Sequence, residues 1–268
     1  MNFSENEFQQ IVSFIKQNYG VNLADKKTLV EGRLSSVLAR SGYRTCSEFL
    51  RQAFRDPQGE EVTTLVNSLT TNHTFFLREP EHFHFLKDVA LPELAEKNKL
   101  FKDLGIWSAA ASSGEEAFTI AMTIRDIYGP DSEKWDTTIL ATDISKKALS
   151  IAAKGEYDAE RVSTLPATWI SAYFKSVPDD RFRVCDELRR QVLFRHFNLM
   201  EEFRFKRKFH IIFLRNVMIY FDEPTKDELL RKVSDVLEPG GYLFIGTTEV
   251  MGRDRHGLTC VQPSIYRK

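Results

Sequence analysis

Cysteine is scarce: Cys46, Cys185 and Cys260 are the only three among 268 residues, and they stand far apart. An odd, dispersed set excludes a disulfide framework and a cysteine zinc site, and it fits reduced thiols inside a cell. Charge of one sign is equally absent. The 37 basic and 38 acidic side chains leave a formal net of −1, so no global basic field recruits nucleic acid. No apolar run approaches the roughly 18 residues that a membrane helix needs. The opening residues Met1-Asn2-Phe3-Ser4-Glu5 lack the basic-then-apolar pattern of a secretion signal. These absences predict a cytoplasmic chain with no membrane insertion and no nucleic-acid partner. His82 and His84 are two apart on an expected helix and share no face. No metal is expected.

What is present is a soluble globular balance, 42% hydrophobic and 28% charged. Residues 1–70 read as a helical domain. Ser4 and Glu7 have capping-box spacing ahead of an apolar stripe, Phe8, Ile11, Val12 and Ile15. Asp25 is the expected cap of a second helix, stopped by Gly42. Thr45 and Glu48 repeat the capping box, Asp56-Pro57-Gln58-Gly59 signals a turn, and Val62, Leu65, Val66 and Leu69 mark a fourth helix. Residues 71–98 read as a linker and a long helix opened by Pro80. Residues 99–268 alternate strand and helix, which predicts an α/β, doubly wound sheet. Within it, about 156–197 reads as an inserted antiparallel β subdomain, with strands at Arg181–Glu187 and Gln191–Phe197.

Ligands of open α/β sheets sit at the carboxyl ends of the strands, where strand order reverses. The loop expected there is Ser108-Ala109-Ala110-Ala111-Ser112-Ser113-Gly114-Glu115-Glu116. Its small side chains admit a ligand close to the backbone. It has one glycine where a dinucleotide site carries three, and two carboxylates that would repel phosphate. A cationic or neutral ligand fits better, such as S-adenosylmethionine (SAM), a sulfonium without phosphate. Asp143 ends the second strand, where an acid commonly accepts ribose hydroxyls; a helix cap beside Ser145 is the competing local reading. Asn198-Leu199 and Arg215-Asn216 follow other strands and can frame the rest of the ligand.

Three longer motifs carry a family resemblance. Thr71-Asn72-His73-Thr74-Phe75-Phe76-Leu77-Arg78-Glu79-Pro80 resembles the T-N-x-T-x-F-F-R-E motif of chemotaxis receptor methyltransferases, the CheR family. The Trp107–Glu116 loop resembles that family's SAM loop, and Arg215-Asn216-Val217-Met218-Ile219-Tyr220-Phe221-Asp222 matches its R-N-V-M-I-Y-F-D signature. The chain departs from the pattern at Leu77, at Ala117-Phe118, at Leu214 and at Thr247-Thr248-Glu249. The resemblance implies a SAM-dependent methyltransferase sheet. It implies a SAM site at Asn72, Thr74, Arg78, Glu116, Asp143, Asn198, Leu199, Arg215 and Asn216, with Tyr220 beside the transferring methyl and Arg78 near the reaction centre. On local grounds either Glu115 or Glu116 suits; the family pattern favours Glu116. The implied reaction yields glutamate methyl esters and S-adenosylhomocysteine, on the cytoplasmic helical bundle of chemotaxis receptors.

A glutamate nucleophile is already ionised at neutral pH, with a reference pKa of about 4.3, so no general base is required. Lys26, Arg33 and Arg40 recur every seven residues and Arg44 extends the row, which reads either as a solvated face or as a docking strip for acidic receptor helices. Some family members also tether to a receptor C-terminal pentapeptide at the inserted subdomain. The connection Lys175-Ser176-Val177-Pro178-Asp179-Asp180 is short and lacks glycine, which predicts independence from that peptide. Three other classes share parts of this pattern. A nicotinamide dehydrogenase lacks its glycine fingerprint here. A nucleic-acid base methyltransferase would more often carry Asn-Pro-Pro-aromatic where Asn216-Val217-Met218-Ile219 stands. A non-catalytic SAM-sensing adaptor would keep the same pocket.

Overall fold

A computed structural model describes residues 4–56, 59–129, 134–252 and 254–268. The chain opens with helices α1 (Glu5–Tyr19), α2 (Lys27–Ser41), α3 (Cys46–Arg55) and α4 (Glu60–Leu69). The Ser4–Glu7 capping box forms in both directions, and Gly20 and Gly42 end α1 and α2 in left-handed conformation. Asp25 does not cap α2. The cap position is Lys26, without a side-chain hydrogen bond, because Leu23 and Lys26 close a turn one residue later than expected. At α3 Thr45 accepts from Glu48 N, but Glu48 reaches back to Arg44 N rather than to the cap. The turn expected at 56–59 lies partly outside the described residues. The apolar stripes meet in one core around Ile11, Leu34, Phe49 and Leu65.

The long helix after Pro80 forms as α5 (Pro80–Phe85), a π turn over Leu86–Ala90, and α6 (Leu91–Lys97). Pro92 has no N–H for the preceding turn and its ring would crowd a carbonyl there; the widened π turn takes up that conflict. Then follow β1 (Ile106–Ala109), α7 (Glu115–Tyr128), β2 (Ile139–Asp143), α8 (Lys146–Lys154), β3 (Glu156–Asp158), α9 (Ala159–Val162), α10 (Ala167–Tyr173), β4 (Phe174–Val177), β5 (Arg181–Val184), α11 (Asp186–Gln191), β6 (Val192–His196), β7 (Phe209–Leu214), α12 (Glu223–Val236), β8 (Leu237–Ile245), β9 (Asp254–Arg255), β10 (Leu258–Gln262) and β11 (Ile265–Arg267).

Eight strands form one sheet in the order β6-β2-β1-β7-β8-β11-β10-β9, parallel from β6 to β8 and antiparallel beyond. The chain runs outward from β1 through β2 to β6, then returns to the other side of β1 as β7. Strand order therefore reverses between β1 and β7, and their carboxyl ends open a crevice there. The expected doubly wound α/β sheet beside an all-helical domain is what forms. Continuous apolar strands such as Phe209–Leu214 are buried on both faces, with Phe213 and Phe244 stacked at 4.3 Å.

The inserted subdomain differs from expectation. Its sheet is β3-β5-β4, and Gln191–Phe197 is not part of it. Val192–His196 instead pairs parallel with β2 as the edge of the main sheet. An edge strand with one face in water alternates polar and apolar residues as an antiparallel strand does, so alternation alone does not distinguish the two.

Candidate active site

The nine residues expected to hold the cofactor and Tyr220 all line one cleft at the reversal point. Its floor is the loop after β1. Ala110 and Ser112, with φ of 72° and 50°, adopt the left-handed backbone that non-glycine residues seldom take. They are held there: Ala110 N and Ala111 N donate to Thr142 O, and Ser112 N donates to Asp143 Oδ2 at 2.8 Å. Gly114, φ 96°, turns the chain into α7, where an added Cβ would lie 2.9 Å from Ala152 Cβ and 3.1 Å from the Tyr157 hydroxyl.

Asp143 is buried, and its other oxygen accepts from Ser145 N at 2.7 Å. Burial pushes its carboxyl above the usual range, against the hydrogen bonds from Ser145 and Ser112. The helix cap is Ser145, whose hydroxyl accepts from Ala148 N. Asp143 ties two loops together instead, and as a cleft-lining carboxylate it has acceptor capacity beyond those two bonds.

The two glutamates divide. Glu115 does not line the cleft. It is fully buried, 2.7 Å from Arg161 Nη1 and 2.7 Å from Ser113 Oγ, while Tyr157 donates to Ser113 O. Glu116 lines the cleft, accepting from Ser108 Oγ at 2.7 Å and from Arg215 Nη1 at 2.9 Å. Arg215, with 1% of its side chain exposed, also pairs with Glu79 Oε2 at 3.1 Å and donates to Arg78 O. Burial pushes Glu79 up, but the Arg215 charge and the bonds from Asn216 and Arg215 outweigh it and leave Glu79 below the ordinary value. For Glu116 burial wins and its carboxyl is raised. Behind the pair, burial and the Arg215 charge hold His82 down at about 4, so it is neutral at pH 7. It contacts Ser264 Oγ at 2.6 Å, whereas His84 is exposed.

Two carboxylates went unassigned in the sequence and prove central. Glu79, φ 58°, accepts from Arg215, Asn216 Nδ2 and Thr247 N, so it joins the linker to the ends of β7 and β8. Glu249 is buried and accepts from Asn216 N, Gly246 N and Ile219 N, clamping the turn that presents Asn216 and Tyr220. Gly246 permits this approach, since a Cβ there would lie 2.6 Å from Asn216 Nδ2. Both glutamates stood inside quoted motifs, yet all their partners named here except Gly246 are 30 or more residues away. The Tyr220 turn is also held from the helical domain: Asn22 N donates to Tyr220 O at 2.8 Å, and Val21 bridges Phe221. Asn198 donates to Asn18 O and accepts from Met200 N; Arg78 donates to His73 O and lies over the Phe75 ring.

Of the basic row, Lys26, Arg40 and Arg44 are exposed. Arg33 must be withdrawn from it. Its guanidinium is turned inward onto the carbonyls of Ser68, Leu69 and Thr70 and the hydroxyl of Thr71. Heptad spacing gives direction around a helix, not whether a long side chain folds back.

The chemistry of the cleft suits SAM. Its wall carries two carboxylates, Asp143 and Glu116, and two arginines, Arg78 and Arg215, which suits a ligand bearing both a cationic centre and a carboxylate, and Tyr19, Phe75, Phe197 and Phe221 supply flat apolar surface. Among the described residues no cluster of His, Cys, Asp or Glu could hold a metal ion, and no helix is long and apolar enough to cross a membrane. Fold and site together define a SAM-dependent methyltransferase. The chain belongs to the CheR methyltransferase family: residues 72–266 match its SAM binding domain and residues 6–70 its all-alpha domain. It is 38% identical to the chemotaxis protein methyltransferase of Borreliella burgdorferi, covering 100% of this chain and 96% of that one. It is 36% identical to chemotaxis protein methyltransferase 2 of Pseudomonas aeruginosa, covering 98% and 93%. It is 34% identical to chemotaxis protein methyltransferase 1 of Vibrio cholerae, covering 99% and 97%.

Proposed function

We propose that this enzyme esterifies glutamate side chains on the cytoplasmic helical bundle of chemotaxis receptors. The observation that carries this reading is a cleft lined by Tyr220 and by balanced charges, Asp143 and Glu116 with Arg78 and Arg215, among whose described residues no histidine–carboxylate pair offers a general base. A carboxylate nucleophile needs none, being ionised at neutral pH. Bound SAM supplies an electrophilic methyl, leaving as S-adenosylhomocysteine. Asp143 would hold the ribose hydroxyls; Asn72, Thr74, Asn198, Leu199 and Asn216 would frame the remainder. Glu116 and Arg215 set the polar wall, and Arg78 would hold the carboxylate of the ligand near the reaction centre. The protein's part is alignment and removal of water from the incoming carboxylate. The test is incorporation of base-labile methyl into a receptor cytoplasmic fragment. A SAM-binding chain without such incorporation would instead be a sensing adaptor.

Tyr220 acts, in this reading, by orienting the receptor carboxylate. Tyr220→Phe is therefore expected to lower kcat about tenfold or more, the loss of one hydrogen bond to a charged group, with SAM affinity within twofold. Normal turnover with weakened SAM binding would move Tyr220 into the cofactor shell.

The exposed row Lys26, Arg40 and Arg44 supports direct docking on acidic receptor helices, screened by salt. Tethering through a receptor-tail pentapeptide is not part of the reading. The β4–β5 connection is only Pro178-Asp179-Asp180, with both aspartates in left-handed conformation. Calorimetric titration of the pentapeptide should give no binding; micromolar affinity mapped to the open edge of β4 would overturn this.

A further inference from the structure

We propose that Arg33, on a helix of the N-terminal domain, is a positioning residue for the cofactor. Its Nη1 donates to Ser68 O at 3.3 Å, Leu69 O at 3.0 Å and Thr70 O at 3.3 Å, and its Nη2 donates to Thr71 Oγ1 at 3.0 Å. The three carbonyls end α4, where the last turn has no intrahelical donors and the helix dipole is negative. A guanidinium answers both needs at once, and its fixed fork then reaches the next residue's hydroxyl.

Leu69, Thr70 and Thr71 themselves line the cleft, next to Asn72. Asn72 O accepts from Ser112 Oγ at 3.1 Å, in the loop after β1, and Asn72 Nδ2 donates to Ser145 Oγ at 3.3 Å, beside Asp143. Ser145 in turn donates to Asn67 Oδ1 on α4 at 2.7 Å. Arg33 thus fixes a segment that bridges the helical domain, the SAM loop and the end of β2. Exposed Arg40 leaves the same face of this helix two turns further on, so one face serves both docking and cofactor positioning. This inference uses the cofactor alone and does not depend on which side chain is methylated.

The test is Arg33→Gln in the full-length enzyme, with SAM affinity measured by calorimetry and steady-state constants measured for SAM and a receptor fragment. The expected result is a rise of about tenfold in Kd and KM for SAM, with kcat at saturating SAM and KM for the receptor unchanged. Arg33→Lys keeps the charge but not the fork and should recover only part of the affinity. Thr71→Val removes one partner and should weaken SAM several-fold in the same direction. Arg51→Gln, exposed on α3, should leave SAM affinity unchanged. A folded Arg33→Gln variant with normal SAM affinity overturns the proposal, whether it loses only melting temperature or only receptor KM. If that variant does not fold, Thr71→Val with normal SAM affinity overturns it.

Discussion

Arg215→Met is expected to destabilise the enzyme by about 3–5 kcal/mol and to abolish turnover, because it strands two largely covered carboxylates without their shared cation. Glu116 and Glu79 lie 2.9 and 3.1 Å from the Arg215 guanidinium, itself only 1% exposed. Methionine fills much of the volume, so the loss is one of charge and hydrogen bonds rather than of packing. The pH dependence follows in sign. Without Arg215 the burial that already raises Glu116 is opposed only by the Ser108 hydrogen bond, and its folded-state pKa rises further above the unfolded value. A raised carboxyl contributes stability that is present below the unfolded pKa and lost as pH rises through the folded one. The deficit of Arg215→Met should therefore shrink on acidification from pH 8 to 5. Glu79→Gln and Glu116→Gln added together should restore much of the stability without restoring activity. Urea unfolding at the two pH values measures both. A deficit independent of pH, or a triple variant no more stable than the single one, would mean that shape rather than charge is what Arg215 contributes.

Asp143→Ala should lower SAM affinity at least about tenfold, since hydrogen bonds with a charged partner are worth about 1.5–3 kcal/mol each. Some loss of stability accompanies it, because Ser112 N and Ser145 N lose their acceptors. Here the pH sign differs between binding and folding. Ligand hydroxyls need the ionised carboxylate, and burial raises Asp143. Affinity should be complete above that raised value and fall as pH drops through it, at a higher pH than the about 3.9 of a free aspartate. The ligand-free protein responds in the opposite sense, its Asp143 contribution being lost as pH rises. Calorimetry across pH checks both; unchanged SAM affinity in folded Asp143→Ala would remove this residue from the site.

Much of this site was legible because its signals are local. The small-residue loop from Ser108 to Gly114, the acid ending β2 and the Arg215–Asp222 run each sit within a dozen residues. In a parallel sheet such segments are carried to the same edge by strand direction alone. Asp143 and the Glu115–Glu116 pair could be singled out before any contact was known. The choice between Glu115 and Glu116 was less secure. Adjacent residues at a helix start point about 100° apart, so only one can face the cleft, and local pattern does not say which. The Arg161 ion pair takes Glu115 to the inserted subdomain. Residues 192–197 failed for a related reason: alternation reports one wet face, and both a sheet edge and an antiparallel hairpin have one.

The amino-acid sequence by itself determined the elements and their chemistry: the helical stripes, the buried strands, the phosphate-averse loop and the family motifs. All of these follow from periodicity and residue type over short stretches. Only the tertiary structure decided the partnerships. Glu79 reaches across to Arg215, Asn216 and Thr247, Glu249 clamps the turn of Tyr220, and Arg33 leaves the docking face to hold the linker. Those are charged groups taken out of water, and each must find a partner wherever the fold brings one. Which partner that is depends on strand order and domain packing, and neither is written in any local run of residues.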